Sequence, residues 1–273
     1  MFPEDIFSDP ANVYRLVALI AGIGILISTA EFISNWREYT HDGIFSWKIL
    51  RERKLLLGNA QFTSLTECLF DVPGFLIVLA VRLLAVTGML VFIVVDHSLS
   101  PILLLFILVT TLLINLRHSF GMDGSDQMSS LIVVILCIYS ITPANPVVAH
   151  VGLWFIALQA CLSYLASGLA KLVSVKWRSG KAIFEILNTK SYGRRDVASL
   201  IQKFPFLSFI FSWSVIVLET IFPVVLLGNK PVVLLFFLAL TGMHLSIALF
   251  MGLNSFFWAF TATYPAIYFC ARS

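Results

Sequence analysis

Seven ionisable residues stand inside strongly apolar stretches or at their edges: Glu31, Arg82, Asp123, Asp126, Lys171, Glu219 and His244. Charge is costly in such a setting, so each is a candidate for chemistry. Lys171 leads. It falls near the end of the run Tyr164 to Leu172 (YLASGLAKL), at the last turn of an apolar helix, with Lys176, Trp177 and Gly180 following. Its amine is either an anchor that reaches toward the membrane surface or a base, and it is a base only where a water-poor surrounding lowers its pKa. Glu219 and Arg82 lie similarly deep in their helices. The reading is a structural ion pair between them, with catalysis by Glu219 the alternative. His244, in mid-helix, is read as a neutral imidazole donating one hydrogen bond across helices, with proton transfer as its other use. Glu31, near a helix end, reaches the interface.

Gly121 to Met128 (GMDGSDQM) has the look of a calcium loop, but its glycine is misplaced and Val134 stands where the closing glutamate would fall. Asp123 or Asp126 as the N-cap of the next helix accounts for the stretch without function. Two carboxylates at a helix mouth also suit a site.

The elements that must position these residues follow from composition. The 273 residues are 59% apolar and 12% charged, with a mean hydropathy of +0.94, which excludes a soluble globular domain. The reading is an all-α, polytopic integral membrane bundle forming one domain over 1–273. Since a span needs about 20 mostly apolar residues, eight are expected: 12–33, 73–95, 100–117, 127–142, 148–171, 207–227, 231–251 and 254–270. The fourth is short and begins polar, which suggests a tilted, broken or re-entrant helix. Asp71 to Gly74, Ser100-Pro101, Thr142 to Pro146 and Asn229 to Pro231 supply the breaks.

Two longer connections, 34–72 and 172–206, set apolar residues at helical spacing beside basic ones. In the first, Trp47, Leu50 and Leu57 stand with Arg51, Arg53 and Lys54; in the second, Ile183, Phe184 and Leu187 stand with Lys181 and Lys190. Both read as interfacial helices on the bilayer surface. With eight spans, these loops and Arg117 share one side, against Lys230 and Arg272 on the other. The positive-inside rule then makes the basic side cytoplasmic and both termini extracytoplasmic. The basic residues serve orientation, and no nucleic-acid partner is expected. Cys68, Cys137, Cys161 and Cys270 lack metal or redox spacing and read as small apolar residues. Glu4, Asp5 and Asp9 before the first apolar run argue against a cleavable signal peptide. Gly22 and Gly24 lack the strand and helix context of a dinucleotide fingerprint and form a packing surface. No metal site is expected.

The pattern Tyr164, Ser167-Gly168, Lys171-Leu172, Trp177 and Gly180 resembles that of the HTTM family, the membrane domain shared by vitamin K-dependent gamma-carboxylases and many bacterial proteins. Three further pieces agree in order: Gly124 to Met128 opening an apolar helix, Glu219 before Pro223, and His244 followed by Gly252 to Phe256. The resemblance covers the chain from about residue 115 onward, and the first span weakly. It implies Lys171 as the base that deprotonates a reduced quinone cofactor, with His244 matching a family histidine. Asp126 falls where the carboxylases carry a histidine, and no large lumenal domain follows the last helix. Carboxylase chemistry faces the lumen, whereas the charge distribution puts the Lys171 loop inside. The shorter SdpB-type bacterial proteins, which act in maturation of a secreted toxin peptide, match better in size and imply a bacterial plasma membrane.

Two functions compete. One is a membrane enzyme, carboxylase- or epoxidase-like, or a maturation factor that modifies a quinone, lipid or peptide. Its catalytic residues would be Lys171, His244 and Asp126, and Asp123, Glu219, Arg82 and Trp177 would bind substrate. The other is a non-catalytic subunit that binds a peptide or a membrane partner. Transport is disfavoured, because no inverted repeat is detectable.

Overall fold

The computed structural model describes residues 4–51, 60–118, 123–190 and 193–271, and among them the chain is entirely helical, without a strand. In order the helices are α1 (Pro10–Ser34), α2 (Trp47–Leu50), α3 (Ala60–Phe70), α4 (Gly74–Val95), α5 (Pro101–Arg117), α6 (Gly124–Ile141), α7 (Pro146–Val173), α8 (Val175–Arg178), α9 (Lys181–Leu187), α10 (Arg195–Lys203), α11 (Pro205–Ile221), α12 (Lys230–Met251), α13 (Asn254–Thr261) and α14 (Tyr264–Cys270). Six of the described helices are long and apolar enough to cross a membrane: α1, α4, α6, α7, α11 with its 3-10 extension to Leu227, and α12. The fifth helix is apolar but 17 residues long.

The helix ends follow local chemistry. Pro101, Pro205 and Pro231 sit in first turns, where a missing N–H costs nothing. Asn229 caps α12 by accepting from the Val232 N–H, and Gly252, at φ 71°, ends it in the left-handed region. The stretch expected as an eighth span is two helices of 8 and 7 residues, because Pro265 cannot continue the hydrogen-bond ladder of α13. The fourth expected span is unbroken: α6 runs 18 residues and starts three residues earlier than its apolar run.

The chain divides into two compact units, Arg15–Val148 and Ala149–Ser273 with Met1–Tyr14. In the first, α4 packs on α5 and α5 on α6. Arg117, fully buried at the end of α5, donates from Nε to the Phe70 carbonyl and from Nη2 to the Phe45 carbonyl, both at 3.0 Å. Its guanidinium lies 4.2 Å from the Phe75 ring centroid and 4.9 Å from that of Tyr39. One cation thus pins the 36–50 connection and the end of α3 to the helix pair. Of the expected interfacial segment, Trp47 and Leu50 are buried against Phe70, and Arg51 pairs with Glu67 at 2.5 Å. Arg53, Lys54 and Leu57 lie outside the described residues.

In the second unit the short helices α8 to α10 join α7 to α11, and α12 follows α11 through the 3-10 segment Phe222–Leu227. Ile183, Phe184 and Leu187 of α9 pack against Val197, Ala198 and Ile201 of α10, while Lys181 and Lys190 stay exposed. This two-faced character is the expected one.

Candidate functional site: a lysine–glutamate pair beside an apolar cavity

The spacing Tyr164, Ser167-Gly168, Lys171 places these residues on one face of α7, since positions three, four and seven apart align. The face is turned to α11. Gly168 lets the two backbones close: a Cβ there would stand 2.6 Å from the Thr220 backbone nitrogen and from its Oγ1. With that approach Lys171 Nζ donates to Glu219 Oε2 at 2.6 Å, and it donates also to Ser167 Oγ one turn back on its own helix. Both partners are largely withdrawn from solvent, with side-chain exposures of 18% for Lys171 and 8% for Glu219.

The turn after α7 supplies the third contact. Gly180 adopts φ 77°, and a Cβ there would lie 2.7 Å from the Phe209 Cα, so only glycine lets the turn seat on α11. Ser208 Oγ donates to the Gly180 carbonyl, and Trp213 Nε1 donates to the Arg178 carbonyl at 3.1 Å. The turn so fixed carries Trp177 to Lys171, whose Nζ lies 5.2 Å from the ring centroid. Two hydrogen bonds and an aromatic face therefore surround this ammonium.

His244 stands behind the pair, within electrostatic reach of Lys171. It is buried, stacks on Phe260 with centroids 5.0 Å apart, and shares a 2.7 Å hydrogen bond between Nε2 and the Tyr164 hydroxyl. Its Nδ1 is buried without a hydrogen-bond partner among the described residues. The Tyr264 hydroxyl also lies near Tyr164 and Thr241, outside hydrogen-bond geometry. An imidazole with one nitrogen outside any hydrogen bond among the described residues thus sits within electrostatic reach of an ion pair.

The pair opens on a cavity of about 610 Å3 between α11 and α12, walled on a third side by the apolar faces of α9 and α10. Its polar lining is Lys171, Glu219, Ser214 and Ser246, with the Trp177 ring beside them. The two serines are spent on their own helices, Ser214 donating to the Ile210 carbonyl at 2.8 Å and Ser246 to the Gly242 carbonyl at 2.7 Å.

Lys171, Glu219, Trp177 and His244 therefore gather in one unit. The ion pair expected between Glu219 and Arg82 is corrected: the Glu219 carboxylate belongs to Lys171, delivered by the close approach at Gly168. Arg82 lies in the other unit, buried on α4, and its electrostatic partner is Asp126. Its Nε has no hydrogen-bond partner among the described residues. Asp123 is the N-cap of α6. Its Oδ1 accepts from the backbone of Ser125 and Asp126, and Asp126 completes a capping box by reaching back to the Asp123 N–H. Among the described residues no three His, Cys, Asp or Glu side chains cluster as metal ligands would. Ser167, Gly168 and Tyr164 carry no role in the sequence beyond the family pattern; their i, i+3, i+4, i+7 spacing with Lys171 is the signal that marks them as one face. No family model, no curated protein and no solved structure matches this chain.

Proposed function

We propose that this chain is an eight-span integral membrane protein of the HTTM type, a single domain of a bacterial plasma membrane with both termini extracytoplasmic. Its Lys171 site acts in the modification or maturation of a quinone, lipid or peptide. The observation that carries the reading is the Lys171–Glu219 pair at the wall of an apolar cavity. Such a pair is poor evidence of a stabilising device, since two desolvated charges recover little over apolar packing. It is a sound device for moving a proton. Transfer from Lys171 to Glu219 leaves a neutral amine and a carboxylic acid, and the amine then accepts a proton from a substrate O–H or C–H. His244, hydrogen-bonded through Nε2 to Tyr164, lies within electrostatic reach of the pair and takes part in placing its charge. Trp177 lies over the amine and shields it from water.

A reduced quinone, the cofactor that the resemblance implies, would supply a phenolic O–H as proton donor, and a half-open apolar cavity with a lysine in its wall suits it. In the other unit, Arg82, Asp123 and Asp126 form a second polar centre. The α9 and α10 segments lie at the membrane surface with Lys181 and Lys190 toward the headgroups.

Mass spectrometry of small molecules copurifying with the parent protein and with Lys171→Met tests the reading. A quinone or isoprenoid present in the parent and absent from the variant supports it. Ordinary phospholipid alone in both favours the second reading, a non-catalytic subunit for a peptide or partner protein, in which the fully occupied Lys171 ammonium is a structural tie.

A further inference from the structure

Arg82 stands inside the apolar helix α4, only 6% exposed, and its Nε is buried without a hydrogen-bond partner among the described residues. A guanidinium carries five N–H donors and keeps its charge, so burial without acceptors is a large cost to the fold. Arg117, in the same unit, shows the contrast. It is buried as well, yet it donates to two carbonyls and lies against two aromatic rings. Arg82 has an electrostatic partner in Asp126, but among the described residues the two form no hydrogen bond.

The packing of α4, α5 and α6 shows what keeps them apart. These helices follow one another through short connections and pack in sequence, so neighbours run antiparallel and α4 and α6 start at the same end. Gly88 of α4 faces the Leu103 side chain of α5, and Asn115 Nδ2 of α5 donates to Ser130 Oγ of α6 at 2.9 Å. In that register Arg82 is level with Val109, and Thr111 lies about 3 Å from the same level. The Thr111 hydroxyl is likewise buried without a hydrogen-bond partner among the described residues. Asn115 is about 9 Å nearer the helix start than Arg82, and Asp126 is about 6 Å further out than Ser130. The Arg82 side chain leans toward the start of α4, and so toward Asp126, which is exposed on α6 beside the N-cap carboxylate of Asp123. A buried cation, with an unpartnered hydroxyl at its depth, thus lies beneath an exposed pair of carboxylates.

That order of charges selects a ligand. A simple anion gains Arg82 but comes to rest under two carboxylates, and a simple cation leaves Arg82 without acceptors. A zwitterion satisfies both, provided that its anionic oxygens go in first and its ammonium stays nearer water. The phosphoethanolamine headgroup of a bilayer lipid arrives in that order, with the phosphate on the side of the chains. Phosphate oxygens match the N–H groups of a guanidinium, and a primary ammonium brings three donors to carboxylates. A choline headgroup has the charge without the donors.

We propose that Arg82, Thr111 and Asp126 form a binding site for a zwitterionic phosphoethanolamine headgroup, with the phosphate on Arg82 and Thr111 and the ammonium on Asp126. The site lies within the unit Arg15–Val148 and does not depend on the reading of Lys171.

Native mass spectrometry of the full chain in detergent tests it. The protein is stripped of lipid and offered palmitoyl-oleoyl phosphatidylethanolamine, or the phosphatidylcholine or phosphatidylglycerol with the same chains. The parent should hold the ethanolamine lipid at least tenfold more tightly than the glycerol lipid, with the choline lipid between them. Arg82→Gln should lose the ethanolamine lipid at least tenfold. Asp126→Asn should cut the preference at least fivefold, weakening the ethanolamine lipid and strengthening the glycerol lipid, with helicity unchanged; being exposed, this position keeps the test decisive if the buried variant fails to fold. Glycerophosphoethanolamine, the same headgroup without chains, separates the sources. Competition at the lipid's own concentration assigns the site to a free headgroup, and its absence assigns it to a bilayer lipid. Equal binding of the three lipids by the parent, the mark of an unspecific lipid shell, overturns the proposal, as does a preference that survives undiminished in well-folded Asp126→Asn.

Discussion

Lys171 and Glu219 are worth more to each other than to the fold. Removing one partner strands a desolvated charge, so Glu219→Gln should lower stability by roughly 3 kcal/mol, whereas replacing both with apolar residues removes the burden along with the attraction. In a double-mutant cycle read by thermal melting in detergent, Lys171→Met combined with Glu219→Leu should recover most of the loss seen in either single variant. Strictly additive losses would show that the two side chains do not act as a pair. The cycle also separates a site from a strut, because a recovered fold with no recovered activity assigns the pair to function.

At the scale of elements, two glycines carry the geometry. Gly168→Ala drives a Cβ into the Thr220 backbone; overpacking of this kind costs about 1–3 kcal/mol, and the separation it forces should break the Lys171–Glu219 hydrogen bond. Gly180→Ala meets both an obstructing Phe209 backbone and a left-handed φ that alone costs an alanine roughly 1–2 kcal/mol. It should release Trp177 from Lys171, read as a shift in tryptophan emission, while Gly228→Ala, whose Cβ would meet Val232 and Val225 and none of the lining residues, should not. These elements were unevenly legible in the sequence. Hydropathy and proline placement located the long helices to within a few residues, because lipid leaves a segment few alternatives to a helix. The partner of Glu219 was not legible. It depends on which helix faces come together, and periodicity orients a soluble helix by its apolar stripe, whereas α11 and α12 are apolar nearly all round. The break between α13 and α14 was legible in principle at Pro265 and was outweighed by the apolar run on either side.

For the molecule as a whole, the described chain offers one anchor whose strength depends on pH. Tyr39, in the connection after α1 and outside the spans, has its pKa raised by burial, with Arg117 opposing that shift and Glu38 adding to it. A raised value in the folded state means that the contribution is complete below the ordinary tyrosine pKa of about 10 and is lost as pH rises through the folded value. The protection of residues 36–50 against hydrogen exchange, taken relative to the base-catalysed intrinsic rate, should therefore fall on alkaline titration in the parent and stay level in Tyr39→Phe. An equal fall in protection in both would place the loss elsewhere. The C-terminal unit carries a different constraint, set by where its pieces lie along the chain. Phe7 packs on Tyr268 at 4.7 Å between ring centroids, and the Tyr14 hydroxyl donates to the Ala149 carbonyl at 3.0 Å. Of the residues made early in translation, Tyr14 thus waits for residue 149 and Phe7 for residue 268. The N-terminal unit can close during synthesis, but the other unit cannot complete its contacts with residues 7 and 14 until its own C-terminal helices have been made, so a ribosome stalled short of that point leaves the start of the chain without its partners.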